Sequence, residues 1–429
     1  MSIVIDDKKI TNINISNKNV QKIVDILTGK IIFEKTSSNE YFYIENTYNG
    51  SNTISLVTTV GTAEITGSHA TQLQYSKDKK TWTTITLNGT NTILMLSGER
   101  VYFRNDSGGF NWYNGSNQED SFYTQIKCSN KHKVGGNINT LLDYKNPNVT
   151  ITPYCFYELF YGNRYLTDAN ELIFPKTSLA SNCYQSMFMD CTKLTTTPAL
   201  PATTLADDCY RYMFNGCTSL TSAPELPATT LPNSCYAGMF GGCTSLTTAP
   251  ELPATTLELY CYYGMFSGCT SLTSAPELPA TTIPIYCYQY MFNGCTSLTT
   301  APALPATTLA RNCYSSMFSG CTSLTTAPEL PATNLTPYCY IGMFYGCTSL
   351  TTAPALPATT LVDGCYYGMF QNCSSLNSIT VYADDISALN CTTDWLSGVA
   401  NSGTFRNLGS AIYSRDASGI PSGWTEVKN

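Results

Sequence analysis

Residues 209–231 read CYRYMFNGCTSLTSAPELPATTL, and three variable residues follow before the next cysteine restarts the pattern. Cysteine recurs at Cys155, Cys183, Cys209, Cys235, Cys261, Cys287, Cys313, Cys339, Cys365 and Cys391, with one step of 28 residues and then eight of 26. A strict period of this length marks a solenoid or an array. Eight of these cysteines are followed eight residues later by a second, Cys191 through Cys373, which with Cys128 accounts for all 19. Cys209, Tyr210, Met213, Phe214 and Cys217 stand at offsets 0, 1, 4, 5 and 8, which fits one face of a short helix ending near Gly216. The following LTSAPEL reads as a brief extended run, because Pro224 and Pro227 cannot continue a helix and remove backbone donors. Leu220, Ala223, Leu226 and Leu231 are the inward candidates of that run, with Ser and Thr facing solvent. The expected fold is therefore an α+β repeat solenoid with a short helix and a short strand in each 26-residue unit. One unit cannot bury its apolar face alone, whereas stacked copies make that face continuous. With strands about 4.8 Å apart, the regular units give a ladder about 40 Å long on a concave side, with helices fanned on the other.

The ends of the array differ from its middle. In CFYELFYGNRYL, Leu159 replaces Met and Asn163 replaces the second Cys; in CTTDWLSGV, Trp395 and Leu396 take the Met-Phe positions. Atypical terminal repeats are what capping requires. Cys209 and Cys217 lie about 12 Å apart along a helix, too far for a disulfide between them. Equivalent cysteines of neighbouring units instead form two internal ladders of small apolar groups, with cross-repeat disulfides as the alternative. Zinc does not fit, since C-x7-C is the wrong spacing and the chain has only His69 and His132. The Met-Phe pair and the Tyr after the first Cys, copied from Tyr184 to Tyr366, read as core.

Composition limits the function. The 429 residues are 43% apolar, 12% aromatic and only 12% charged, with a net charge of −7 and no basic run, which argues against nucleic acid as partner. The first thirty residues lack a secretion signal's basic start and apolar run, so a cytoplasmic origin is expected. No apolar stretch reaches the roughly 20 residues of a membrane helix. The recurrent LPATT approaches a cell-wall sorting sequence but lacks its glycine and apolar tail, so no anchor is read.

MFxGCTSLTxAPxLP, with Phe, Cys and Leu spaced F-x-x-C-x-x-L, resembles the BspA-like leucine-rich repeats of gut-bacterial surface proteins and of virion proteins of their tailed phages. The resemblance covers residues 155 to about 399, and WLSGVANSGTF with IPSGWTEV (395 to 427) looks like the terminal module that often follows such repeats. The unit departs from the commoner 22 or 23 residues, and Ala-Pro stands where that family usually has a β-branched residue. Residues 1 to 35 (ITNINI, VQKIVDI, GKIIFEK) resemble small N-terminal elements of phage tail and fibre proteins. From Tyr41 to about Lys133, alternating strands separated by polar turns favour a β-sandwich. The expected organisation is an N-terminal β docking element at 1–38, an Ig-like β-sandwich at 39–134, a junction at 135–154, the solenoid at 155–399 and a C-terminal cap at 400–429.

What varies inside the repeats singles out candidate binding residues. The three residues before each cysteine and the two after each Tyr differ while everything around them is copied, which places them outward along one edge. Tyr212, Tyr260, Tyr263, Tyr286, Tyr290, Tyr338, Tyr345 and Tyr367 are the binding candidates there. Tyrosine gives area and a hydroxyl at low entropy cost, although drift on a tolerant edge is the competing reading. In GGFNWYNGSNQED (108–120), Trp112 and Tyr113 among Gly, Asn and Ser suit a sugar, against packing on their own domain. The exposed threonines (Thr221, Thr229, Thr230 and copies) admit an ice-binding reading, but a solvated strand face needs small β-formers anyway. No nucleophile constellation, metal cluster or phosphate loop is present, and Asp207-Asp208 or Asp384-Asp385 read as solvated corners, so no enzyme and no cofactor are expected. The resemblance implies a structural or host-recognition protein of a tailed-phage virion, assembled in the host cytoplasm. The N-terminus would dock to other virion proteins and the solenoid would face a host surface protein or glycan, with the trimer habitual for fibres. A bacterial cell-surface adhesin is the alternative.

Overall fold

The repeat folds around a left-handed backbone at every fourth residue. In the computed structural model, which describes residues 2–6, 9–14, 22–24, 31–34, 40–60, 72–106, 122–146, 149–175, 178–416 and 418–428, φ is +55° at Asp208, +54° at Tyr212 and +72° at Gly216. The amides of Cys209, Arg211, Met213, Asn215 and Cys217 donate three residues back, at 3.1–3.2 Å. Those of Asp208, Tyr210, Tyr212, Phe214 and Gly216 donate sideways to Asn233, Cys235, Ala237, Met239 and Gly241 of the next unit, at 2.7–3.1 Å. An α-helix would donate four back and keep every bond inside the segment. The helix expected in each unit is therefore absent, and the α+β solenoid gives way to an essentially all-β one: a ribbon of chained turns, zipped to its neighbours as a sheet is. Among the described residues the only helical element is the 3-10 turn Ile138–Leu141. A four-residue period and a helix both bury offsets 0, 1, 4, 5 and 8, so burial alone could not separate them. Every second turn has a positive φ at its third residue, and Gly238, Gly264 and Gly342 supply it in mid-segment, where a helix would not place glycine.

Among the described residues twenty strands run in chain order: β1 (Ser2–Asp6), β2 (Lys9–Asn14), β3 (Lys22–Val24), β4 (Ile31–Glu34), β5 (Phe42–Asn46), β6 (Asn52–Val60), β7 (Gln72–Ser76), β8 (Thr83–Thr86), β9 (Thr90–Met95), β10 (Arg100–Arg104), β11 (Phe122–Cys128), β12 (His132–Asn137), β13 (Leu166–Ile173), β14 (Thr230–Leu231), β15 (Thr256–Leu257), β16 (Thr282–Ile283), β17 (Thr308–Leu309), β18 (Ser378–Val381), β19 (Gly403–Asn407) and β20 (Trp424–Lys428). Residues 1–40 form one unit, in which β1 pairs antiparallel with β2 and β3 with β4. Residues 41–429 form the other. Its upstream part holds a six-stranded sheet, ordered β13-β12-β5-β10-β7-β8, and a three-stranded sheet, β11-β6-β9.

The solenoid grows directly out of the six-stranded sheet. Strand β13 lies inside the first repeat and pairs parallel with β12. Single parallel bridges then link Asp168 to Thr196, and run from Ser222 through Thr248, Ser274 and Thr300 to Thr326. The proline two residues after each bridging Ser or Thr keeps the contact from extending. The 26-residue register persists from Thr352 to Ser378 and from Ser378 to Thr404, where β18, β19 and β20 close the stack as a parallel sheet.

The core is a set of columns. One aromatic column runs from Phe156 through Tyr184 and its copies to Tyr366, then Trp395 and Tyr413, with ring centroids 5.6–6.2 Å apart. The second runs from Phe160 to Phe370 at 5.2–5.7 Å. Such contacts add about 0.5–1.5 kcal/mol per pair beyond burial. The second cysteine of each regular unit has a role of its own. From Cys191 to Cys373, Sγ donates to the Phe carbonyl of the preceding unit at 2.9–3.2 Å.

Candidate functional site

Because offsets 0, 1, 4 and 5 face the core, offsets 2 and 3 and the residue before each cysteine must face out. Two of these three positions are also left-handed. Tyr212, Tyr260, Tyr286, Tyr290 and Tyr338 sit there with φ between +54° and +61°. The matching positions of other units hold residues suited to that backbone, such as Gly238, Gly264, Gly342, Gly364, Asn312 and Asp208, but also Ser186, Ser234 and Ser316. A bulky residue in this region costs about 1–2 kcal/mol. Stacking does not require tyrosine here, and an outlier of this kind directs attention to function.

Four of these five tyrosines gather with Tyr263 over the units that begin at Cys209, Cys235, Cys261 and Cys287. A groove of about 460 Å³ is lined by Tyr212, Tyr260, Tyr263 and Tyr286, together with Arg211, Ser234 and Gln289, and Ala237 also faces it. A second hollow of about 260 Å³ shares Tyr212 and Tyr263 and adds Tyr290, Asn215 and Ser267. The Tyr260 and Tyr286 rings stack at 4.8 Å, while Tyr263 meets Tyr260 and Tyr290 edge-on at 5.9 and 5.7 Å. Tyr212 lies where the neighbouring unit leaves room: a Cβ on Gly238 would come within 2.2 Å of its ring. The Arg211 guanidinium is 5.1 Å from the Tyr212 ring, and its Nη1 donates to Asp208 at 3.0 Å. Burial opposes the Arg211 charge, but Tyr212 and Asp208 outweigh that and raise its pKa. Burial raises the pKa of the Tyr263 phenol, and the nearby Tyr290, Tyr212 and Tyr260 raise it further.

The remaining candidates lie apart. Tyr338 leans over Gly364, with Arg311 5.2 Å from its ring. Tyr345 is exposed and its hydroxyl accepts from Asn372 Nδ2 at 3.0 Å, and Tyr367 is exposed beside neither hollow. Trp112 and Tyr113 lie outside the described residues. The sequence reading missed Arg211, Gln289, Ser234, Ala237 and Asn215 as groove residues. The signal was available for Arg211 and Gln289, which share the variable pairs with Tyr212 and Tyr290.

The cysteines take no part in this surface. All are free and buried. Burial pushes the Cys209, Cys269, Cys321 and Cys339 thiols up to about 12. At Cys261 burial is outweighed by hydrogen bonds from the Cys235 and Cys287 thiols and the Glu258 amide, and the group falls to about 5. Cys261 is nonetheless sealed from solvent.

Comparison with known proteins agrees with this geometry. The family model described as BspA type leucine rich repeat region matches in six copies, over residues 142–273 and 261–390. No curated protein matches the sequence.

Proposed function

Since the chain belongs to the BspA-type leucine-rich-repeat family, whose model covers more than half of its 429 residues, we propose that it is a recognition protein acting by non-covalent binding, carried on the virion of a tailed phage. The solenoid is the binding element, and its contact surface is the edge that bears the outward tyrosines. One observation carries this reading. The inward positions repeat in every copied unit, while in four units tyrosine occupies left-handed outward positions that hold glycine, asparagine, aspartate or serine elsewhere. Drift on an idle edge would shed such residues, because each one costs stability. The separate unit at residues 1–40, with its two small antiparallel sheets, supplies the element for docking to other virion proteins. Assembly as a trimer would multiply weak contacts.

Mass spectrometry of purified phage particles and of washed host envelopes tests the placement. Peptides of this chain in the particles support the virion reading. Peptides confined to the envelope overturn it in favour of a bacterial surface adhesin. Binding of the purified chain to host cells tests recognition itself.

A further inference from the structure

We propose that the tyrosine groove is a saccharide-binding site whose ligand is a neutral, hydroxyl-rich chain. This rests on the recognition reading above and names a ligand class for it. The groove has the volume of a small-molecule site, and the second hollow continues it past Tyr212 and Tyr263, so several sugar rings can follow one another along the edge. Its walls are aromatic rings with hydroxyls at their tips, backed by the Gln289 amide and the Ser234 hydroxyl. Pyranose rings present this same mixture, with apolar C–H faces for the rings and hydroxyls for the amide and phenols. Ala237 is the lone aliphatic residue lining the groove, so little of its wall is purely apolar.

Charge points to a neutral ligand. Arg211 is the one charged residue lining the groove, and Asp208 already pairs with it at 3.0 Å. The guanidinium is left as a planar donor held beside Tyr212, suited to vicinal hydroxyls, with its charge compensated. Repeat stacking builds the site: no single unit contains it, because Tyr212, Tyr260, Tyr263 and Tyr286 come from three units and the Gly238 unit provides the gap between them.

The test is titration of the full chain with two sets of neutral oligosaccharides, one from bacterial surface polysaccharide and one from animal glycoproteins, each beside a carboxylated counterpart. Binding of a neutral member of either set is expected, unchanged from about 50 to about 500 mM salt, and the set that binds identifies the source. The Tyr260→Asn/Tyr286→Asn double variant, which keeps residues suited to the left-handed backbone, should weaken binding by about tenfold or more. Tyr263→Phe removes one hydroxyl without changing the ring and should weaken it by about threefold to tenfold. Melting temperatures near that of the parent show that the variants are folded. The proposal is overturned if no saccharide binds, if only carboxylated members bind, or if the double variant binds as well as the parent. If the parent binds host cells but no saccharide, the groove serves a protein receptor and recognition stands. If it binds no host cell at all, the recognition reading itself fails.

Discussion

The thiol of each second cysteine works in two ways at once, filling a buried site and giving the preceding unit's Phe carbonyl a second donor. Cys269→Ala leaves a small void and removes that donor, so a loss of about 1–2 kcal/mol is expected on thermal or denaturant unfolding. Burial also blocks chemistry: iodoacetamide should leave the ladder thiols of the native protein unlabelled, Cys261 included, and should reach all nineteen once guanidinium unfolds the chain. Backbone handedness gives a second test. At Gly268, φ is +75°, and an added Cβ would meet the Gly242 backbone at 3.7 Å, an ordinary contact. The cost of Gly268→Ala is therefore conformational, about 1 kcal/mol, readable as a lowered melting temperature.

The first repeat is fastened to both upstream sheets by polar contacts that its cysteine-bearing copies lack. Asn163, in the second-cysteine position, donates through Nδ2 to the Ile126 carbonyl and to His132 Nε2, both at 3.1 Å, while His132 Nδ1 bonds the Asn130 carbonyl at 2.9 Å. Burial holds the imidazole neutral, lowering its pKa from 6.5 to about 4. Above pH 6.5 neither the folded nor the unfolded chain protonates it. As pH falls from 6.5 toward 4 only the unfolded chain takes up the proton, so stability falls over this window, by about 3 kcal/mol at most. Melting temperatures measured across the window should show this slope, and His132→Gln should flatten it. The sequence marked Asn163 as a terminal substitution but could not name its partners, which come from β11 and β12, some thirty residues back. The columns of Cys, Tyr, Met and Phe were legible because their spacing is the same in a helix and in four-residue turns. The helix was the misreading, and a second glycine four residues before the first, as in Gly238 and Gly242, was the signal against it. Outward tyrosines were legible one at a time. Their meeting was not, because it depends on how offset −1 of one unit falls beside offsets 2 and 3 of its neighbours.

At the scale of the whole chain, stability is a sum over units and their junctions, closed at both ends. Deleting residues 287–312, one complete 26-residue unit, should leave a folded protein with a similar circular dichroism spectrum, whereas deleting half a unit should not. The closing end is more sensitive. Trp395 is fully buried, stacks on Tyr366 and Tyr413, and donates through Nε1 to the Gly419 carbonyl at 3.0 Å. Trp395→Ala is expected to cost about 3–5 kcal/mol and to promote aggregation, seen as light scattering below the parent's melting point. The sideways hydrogen bonds between copies have one more effect. Every interior copy offers the same lateral edge as every other, so a strand that skipped its proper neighbour and joined the next one along would meet no local mismatch. Twenty-six residues could bulge away as a loop while the rest closed around it. Only the dissimilar termini can reject such a misthreaded chain, and refolding from denaturant should therefore pause in slipped species that resolve from the two ends inward.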